Sequence, residues 1–432
     1  MNNRSRVADP DEISPTSIVA AESGPGAVWR RRPLTTAAVL FLLSAIVSVA
    51  AKQWHGYIDL QVYRNGARVW LDGGDLYGPM PQVYGLGLPF TYPPLAALFF
   101  APLALMHLAA AETVVLLSSL AALGVTLWVV SDRLRPELDP RARLALIVAL
   151  MALIDLLEPV RQTFNFGQIN LVLLAAITLD ALVRKPFWPR GMLIGIAVSV
   201  KLIPAGYLLY FLLRKDWKAA ATLVVSAAGA IGLGFLLFPK DSSSYWFHTL
   251  WDTDRIGPPS FAGNQSLKGF AFRLGTSDST ATLIWAALSL ATVALAAVWM
   301  MRLLERQQTV AALLVNAAAV LLVSPVSWSH HWVWVGPALL VGVDLIARRR
   351  TAGLPARGLT AGVGSLTVLF AIGPHWLLPH SRNREAGWSL WEQLVGSSYV
   401  LVTFAIVVLA ALSHQAQGGR PAWSRSAAAS GR

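Results

Sequence analysis

The feature that most constrains this 432-residue chain is a series of long apolar segments separated by charged ones. A helix needs about 20 apolar residues to cross the hydrocarbon core of a bilayer. Ten segments approach this length: 35–51, 111–130, 144–158, 168–183, 218–238, 281–301, 309–326, 332–347, 357–378 and 396–413. Helices satisfy their own backbone hydrogen bonds in lipid. The sequence therefore predicts an all-α integral membrane protein.

Two further apolar segments are interrupted. Segment 94–106 is short and follows Pro93, and segment 191–213 contains Lys201 and Pro204. Proline and charge inside a span are tolerated where the backbone lines a cavity or packs on protein. We therefore expect re-entrant or half helices here, and about 10 to 12 transmembrane helices in all.

The composition agrees with a membrane protein. Only 13% of the residues are charged, against roughly 25% in soluble domains, which excludes a soluble multidomain enzyme. The formal net charge of +12 would suggest a nucleic-acid partner in a soluble protein, but here the basic residues fall in loops between apolar segments. No nucleic acid is expected. The chain has no cysteine, so disulfides, thiolate zinc sites and iron–sulfur clusters are excluded.

The basic residues also predict an orientation. With the ten segments taken as crossings, 24 of the 35 Lys and Arg residues lie on the side of the N-terminus. Lys and Arg concentrate in cytoplasmic loops, so both termini are predicted to be cytoplasmic at the plasma membrane. We expect residues 1–34 to form a disordered N-terminus, 35–413 the membrane domain and 414–432 a tail. The longer outer loops are then 52–92, 239–280 and 379–395.

The first outer loop carries a candidate base. Tyr63, Ala67, Trp70 and Leu71 have helical spacing, which predicts a short amphipathic helix on the membrane surface. Asp59 comes just before it among apolar neighbours. The carboxyl is either an N-cap for that helix or a partly desolvated general base. The residues alone favour the cap.

Amides and aromatic rings occur together further along the chain. Asn165, Gln168 and Asn170 surround Phe166 at the predicted outer end of a span. Amides bind sugar hydroxyls and a ring offers a flat apolar face, but amides also cap and pair helices. Both interpretations remain open.

Cationic and imidazole side chains complete the candidates. A lysine inside an apolar segment, such as Lys201, suggests a functional role, and phosphate is its natural partner; the alternative is snorkelling to an interface. His330 and His331 are adjacent and cannot both face one metal ion from a helix. One of them either contacts a phosphate or belongs with Trp328 to an interfacial belt.

Several blocks occur in order between about residues 55 and 335. They are Asp59 with Val62-Tyr63, Gly73-Gly74-Asp75-Leu76-Tyr77, Phe90-Thr91-Tyr92-Pro93-Pro94, Gly167-Gln168-Ile169-Asn170, Lys201-Leu202-Ile203-Pro204, Asn264-Gln265-Ser266-Leu267, and Ser324-Pro325-Val326-Ser327-Trp328 with His330-His331. This ordered set resembles the polyprenol-phosphate-mannose-dependent α-(1,2)-mannosyltransferases of actinobacteria, glycosyltransferase family 87.

The resemblance implies a glycosyltransferase-C fold with an extracytoplasmic active site and a polyprenol-phosphate-mannose donor. It also implies that Asp59 is the catalytic base, which reverses the preference for the cap. The implied acceptor is a mannolipid of the cell envelope, either a phosphatidylinositol mannoside or the core of lipomannan and lipoarabinomannan.

An inverting transfer follows from the two lines of reasoning together. Asp59 takes the proton of a mannose 2-hydroxyl, and Lys201 with His330 or His331 binds the donor phosphate, on which negative charge grows. The expected sugar and acceptor contacts are Tyr63, Tyr92, Asn165, Gln168, Asn170, Asn264 and Trp328.

No cofactor is expected. A divalent cation is left open, with Asp59, Asp252 and Asp254 as possible oxygen ligands. An arabinofuranosyltransferase and a lipid-linked-sugar flippase are the alternatives. Transporters place polar groups at the membrane midplane between repeats, whereas most polar groups here gather at one predicted face.

Overall fold

The computed structural model describes residues 32–413, apart from the side chains of Thr253 and Asp254. The predictions of a disordered N-terminus and a cytoplasmic tail fall almost wholly on residues 1–31 and 414–432 and lie outside the described residues. Within residues 32–413 there is no β-strand, and only isolated bridges such as Val83 to Leu86 occur. The predicted all-α class is confirmed.

The helices follow the apolar segments. In chain order they are α1 Pro33–Ala50, α2 Ile58–Leu71, α3 Leu95–Leu105, α4 Leu108–Leu134, α5 Pro140–Ile154, α6 Glu158–Phe166, α7 Asn170–Leu182, α8 Met192–Val198, α9 Leu208–Leu213, α10 Trp217–Leu237, α11 Pro239–Ser244, α12 Leu267–Arg273, α13 Asp278–Glu305, α14 Thr309–Val323, α15 Val335–Thr351, α16 Arg357–Ile372, α17 Leu390–Gly396 and α18 Ser398–Leu412. Short 3₁₀ segments lead into α9 and α15, at Ile203–Tyr207 and Ser329–Trp334.

Several of these helices are suited to cross a membrane. Among the described residues, α1, α4, α10, α13 and the segment Ser329–Thr351 are long and apolar enough, and the bent pairs α6–α7 and α17–α18 raise the number from five to seven. The chain is thus a multi-pass membrane protein. The other predicted segments form shorter helices, such as α3, α14 and α16, so the expected 10 to 12 crossings stay a prediction.

Two compact units make up the chain. Among the described residues, the first comprises 32–205, 218–256 and 329–373, and the second comprises 206–217, 257–328 and 374–413. The second has a polar core around Arg273, which is 1% exposed and donates to the backbone carbonyls of Ser260, Phe261 and Asn264. The candidate residues Asn264 and Trp328 belong to this unit, and the other site candidates belong to the first.

Helix α2 lies where the sequence predicts an amphipathic helix, and its place in an outer loop stays a prediction. Its Tyr63 stacks on Phe100 of α3 with ring centroids 4.1 Å apart. Its Gly66 faces the ring of Phe90, which leaves no room for a side chain. Beyond its end, Asp75 Oδ1 accepts from the Tyr77 backbone N–H at 2.9 Å, a local hydrogen bond that is typical of a turn. Helix α2 is therefore fixed against α3.

Substituting Gly66 tests this packing. A Cβ there would lie 2.2 Å from Phe90 Cδ2, so Gly66→Ala is expected to destabilise the protein by about 1–3 kcal/mol, measured by thermal unfolding in detergent. Gly229→Ala is the control, because this α10 position has nothing within 4 Å of an added Cβ and alanine favours helix. Equal stability of the two variants would contradict the close approach.

Two breaks between helices of the first unit place polar side chains in its interior. Helices α6 and α7 meet at 116°, and Gly167 between them has φ +64°. A Cβ on Gly167 would lie 2.8 Å from Tyr57 Cδ1 and 2.9 Å from Leu60 Cβ, so only glycine allows the break to approach α2. The second break follows α8 and carries Lys201.

Candidate active site

Asp59 occupies the second position of α2. The helix begins at Ile58, and Tyr57 stands at the N-cap position without a capping side chain, so the N-cap interpretation of Asp59 is wrong. Its Oδ2 instead accepts from Gln168 Nε2 at 3.0 Å. Burial raises the pKa of Asp59 to about 6, while the charge of Lys201 and the hydrogen bond from Gln168 act to lower it. The half-buried carboxylate is therefore unusually basic.

Gln168 lies at the centre of the group, in the break between α6 and α7. Its Nε2 donates to Asp59 and lies 3.4 Å from the Tyr92 hydroxyl. Its Oε1 accepts from the Tyr63 hydroxyl and lies 3.5 Å from Lys201 Nζ. One buried amide thus links the candidate base to the candidate phosphate-binding lysine.

Lys201 points into this group from the break after α8. Its Nζ donates to Asn170 Oδ1 at 2.9 Å and lies 3.2 Å from His331 Nε2. It also lies 5.8 Å from the centre of the Tyr92 ring. The side chain is 8% exposed, so the snorkelling alternative is wrong. Within residues 32–413, Lys201 forms no ion pair with a carboxylate, so its charge is suited to an external anion.

The two histidines lie in the 3₁₀ segment that precedes α15. Both are buried, so an interfacial belt is excluded for them. The His330 carbonyl accepts from Asn170 Nδ2 at 2.8 Å, and its ring meets Phe166 edge-on at 5.2 Å. Within the described part of the chain, His330 Nε2 and His331 Nδ1 have no hydrogen-bond partner. Buried polar nitrogens of this kind are normally satisfied, so a ligand would complete them.

The remaining candidates from the sequence make structural contacts. The Asn165 carbonyl accepts from the Tyr57 backbone N–H at 2.7 Å and so fixes the start of α2. In the second unit, the Asn264 side chain bonds to the backbone of Pro259, Pro325 and Ser327, and Trp328 meets the ring of Phe261 edge-on. A sugar-binding role for Asn165, Asn264 and Trp328 stays a prediction.

The sequence did not identify the residues that support the histidine segment. The Thr163 hydroxyl donates to the His330 carbonyl at 3.1 Å, and Ser329 Oγ donates to Glu158 Oε1 at 2.6 Å. These bonds hold the histidine segment against α6. No motif marks them, because each pair is more than 160 residues apart in sequence. Between residues 32 and 413, no three or more His, Asp or Glu side chains are grouped to hold a metal ion.

Comparison with known proteins adds to this geometry. The model of glycosyltransferase family 87 matches residues 90–325. The polyprenol-phosphate-mannose-dependent alpha-(1-2)-phosphatidylinositol mannoside mannosyltransferases of Mycobacterium tuberculosis and Mycolicibacterium smegmatis are 44% and 41% identical to this chain, covering 82% and 85% of it and 84% and 88% of themselves. A pentamannoside mannosyltransferase of M. tuberculosis is 32% identical over 97% of this chain and 96% of its own length. No solved structure matches the chain.

Proposed function

This chain belongs to glycosyltransferase family 87, and we propose that it transfers mannose from polyprenol phosphate to a mannose 2-hydroxyl of a phosphatidylinositol mannoside. The product linkage is α-(1,2). The similarity to two relatives of that printed activity over more than four fifths of the chain carries the proposal. The link from Asp59 through Gln168 to Lys201 supports it, because such a transfer needs a base and an anion site close together.

Asp59 is the proposed base. The acceptor oxygen attacks the anomeric carbon of the donor mannose, and the Asp59 carboxylate takes the hydroxyl proton. The polyprenyl phosphate leaves from the opposite face with the electrons of the broken glycosidic bond, so the β-linked donor gives an α-linked product. Gln168 holds the carboxylate oxygen at 3.0 Å, which orients it toward the acceptor.

Lys201 and the two histidines are the proposed phosphate site. The donor phosphate is a diester before transfer and a monoester after it, so its negative charge increases during the reaction. Lys201 stabilises that charge more in the transition state than in the ground state. His330 Nε2 and His331 Nδ1, which have no partner within the described residues, are the proposed further contacts to the phosphate. Tyr63, Tyr92 and Asn170 hold these groups and line the sugar site.

The finer architecture is part of the proposal. A glycosyltransferase-C fold with about 10 to 12 crossings places both termini in the cytoplasm and the Asp59 group on the extracytoplasmic face. The distribution of 24 among 35 basic residues supports this orientation. Donor and acceptor then enter from the bilayer, since both carry lipid chains.

The test uses membranes that contain the protein, radiolabelled polyprenol-phosphate mannose and phosphatidylinositol mannosides. Labelled product that α-(1,2)-mannosidase digests is the expected result, and chromatography against standards identifies the acceptor. Absence of product would refute the assignment. A parallel reaction with polyprenol-phosphate arabinose tests the arabinofuranosyl alternative, for which the relative in Corynebacterium glutamicum is 28% identical over half of this chain.

The pH dependence of the reaction should reflect Asp59. The raised pKa of about 6 means that the active carboxylate is lost as the pH falls through 6, so kcat/KM should be half-maximal near pH 6 and fall about tenfold per unit below it. A kcat/KM profile from pH 4.5 to 8 measures this. An acid limb near 4, the ordinary value for aspartate, would show that the carboxyl is solvated.

A further inference from the structure

A cavity of about 540 Å³ lies beside α2, formed with the connection between α3 and α4. Its lining residues are Gln61, Arg64, Asn65, Arg68, Leu105, Met106, His107 and Leu108. The lining is polar and basic along α2. Nothing in the proposed transfer mechanism uses it.

The cavity and Asp59 lie on opposite faces of α2. Successive residues of an α-helix turn by about 100°, which puts Gln61, Arg64 and Arg68 on the side away from Asp59. The helical rise also places Arg68 about 13 Å along the axis from Asp59. The cavity is therefore a separate place in the first unit.

The cavity carries positive charge. Arg64 is 5% exposed and donates to the Leu103 carbonyl, and Arg68 donates to the Ala104 carbonyl at 3.2 and 3.3 Å. These bonds hold both guanidinium groups against the last carbonyls of α3, whose negative end they partly offset, and beside the positive N-terminal end of α4. The acidic group that acts on Arg64 is Glu112, so cations outnumber anions here.

We propose that this cavity binds the lipid phosphodiester of the acceptor, with Arg68 as the contacting cation. Gln61 and Asn65 use their amide nitrogens on the Gly56 and Pro81 carbonyls, so their amide oxygens accept from inositol hydroxyls. Inositol and at least one mannose separate the phosphate of such an acceptor from its reactive hydroxyl. The phosphate therefore binds away from Asp59. This inference rests on the proposed function.

Arg68→Gln tests the site, because Arg68 is exposed and its loss should leave the fold intact. The KM for phosphatidylinositol mannoside is expected to rise about tenfold, as for loss of a charge-assisted hydrogen bond. The KM for the donor and the kcat should not change, nor should the KM for octyl α-mannoside, which lacks a phosphate. Lys240→Gln removes an exposed charge of α11 and is the matched control.

A second measurement does not depend on catalysis. Native mass spectrometry of detergent-released protein should show more phosphatidylinositol than phosphatidylcholine retained by the wild type and by Lys240→Gln, and an equal, low retention by Arg68→Gln. Unchanged phosphatidylinositol retention in Arg68→Gln overturns the site. An equal rise in KM for octyl α-mannoside, or a rise in the donor KM, also overturns it. Absence of mannose transfer by the wild type refutes the proposed function alone, since lipid retention still decides the cavity.

Discussion

Asp59→Asn is expected to lower the turnover of mannose transfer by about 10²–10⁴-fold, the usual contribution of a positioned general base. Asparagine keeps the shape of the side chain, and its amide oxygen can still accept from Gln168 Nε2, as Asp59 Oδ2 does at 3.0 Å. The change therefore removes the basic oxygen and little else. Initial rates with purified protein at saturating donor and acceptor measure the effect.

Asp72→Asn is the matched control for that experiment. Asp72 follows the last residue of the same helix and is exposed, so its amide variant should transfer mannose at the wild-type rate. Comparable activity of the Asp59 and Asp72 variants would remove Asp59 from the mechanism. Lost activity of Asp59→Asn together with a lowered unfolding temperature would indicate a structural role instead.

The helices of this protein could be predicted from sequence because long apolar segments have few alternatives in lipid. Every such segment is helical in the structure, and the spacing of Tyr63, Ala67 and Trp70 identified α2 correctly. The number of crossings could not be predicted as well. Bends such as the 116° between α6 and α7 depend on packing around Gly167, which hydropathy does not report.

The start of α2 shows why the role of Asp59 could not be decided locally. Asp59 precedes an amphipathic pattern, and such residues are good N-caps. In the structure the Tyr57 N–H bonds to the Asn165 carbonyl, Tyr57 has φ +48°, and the helix begins two residues earlier than a cap at Asp59 requires. The deciding contact spans more than 100 residues of sequence and has no local signal.

Lys201 presents the same problem of direction. An apolar segment with one lysine allows either an inward or a snorkelling side chain. The break after α8 and the hydrogen bond to Asn170 Oδ1 turn the Lys201 side chain inward. Neither feature can be recognised from the apolar segment alone. The apolar setting of Lys201 in the sequence already marked it as a candidate, and the structure shows its partners.

Lys201→Gln is expected to lower kcat by about 10²–10³-fold, because the growing charge of the departing phosphate loses a preorganised cation. Initial rates with saturating donor measure this loss. Lys52→Gln is the control, since Lys52 is an exposed lysine of the same predicted outer loop as Asp59 and its variant should be fully active.

The pH profile of Lys201→Gln separates an electrostatic role from a structural one. The charge of Lys201 lowers the pKa of Asp59, whereas burial raises it. Removing the charge should therefore raise this pKa further and move the acid limb of the remaining activity above pH 6. A lysine that only fills the helix break would change the unfolding temperature and leave the limb in place. An upward shift of the limb with unchanged thermal stability would therefore show that the Lys201 ammonium acts on the Asp59 carboxylate. This is the result expected if the base and the phosphate share one site.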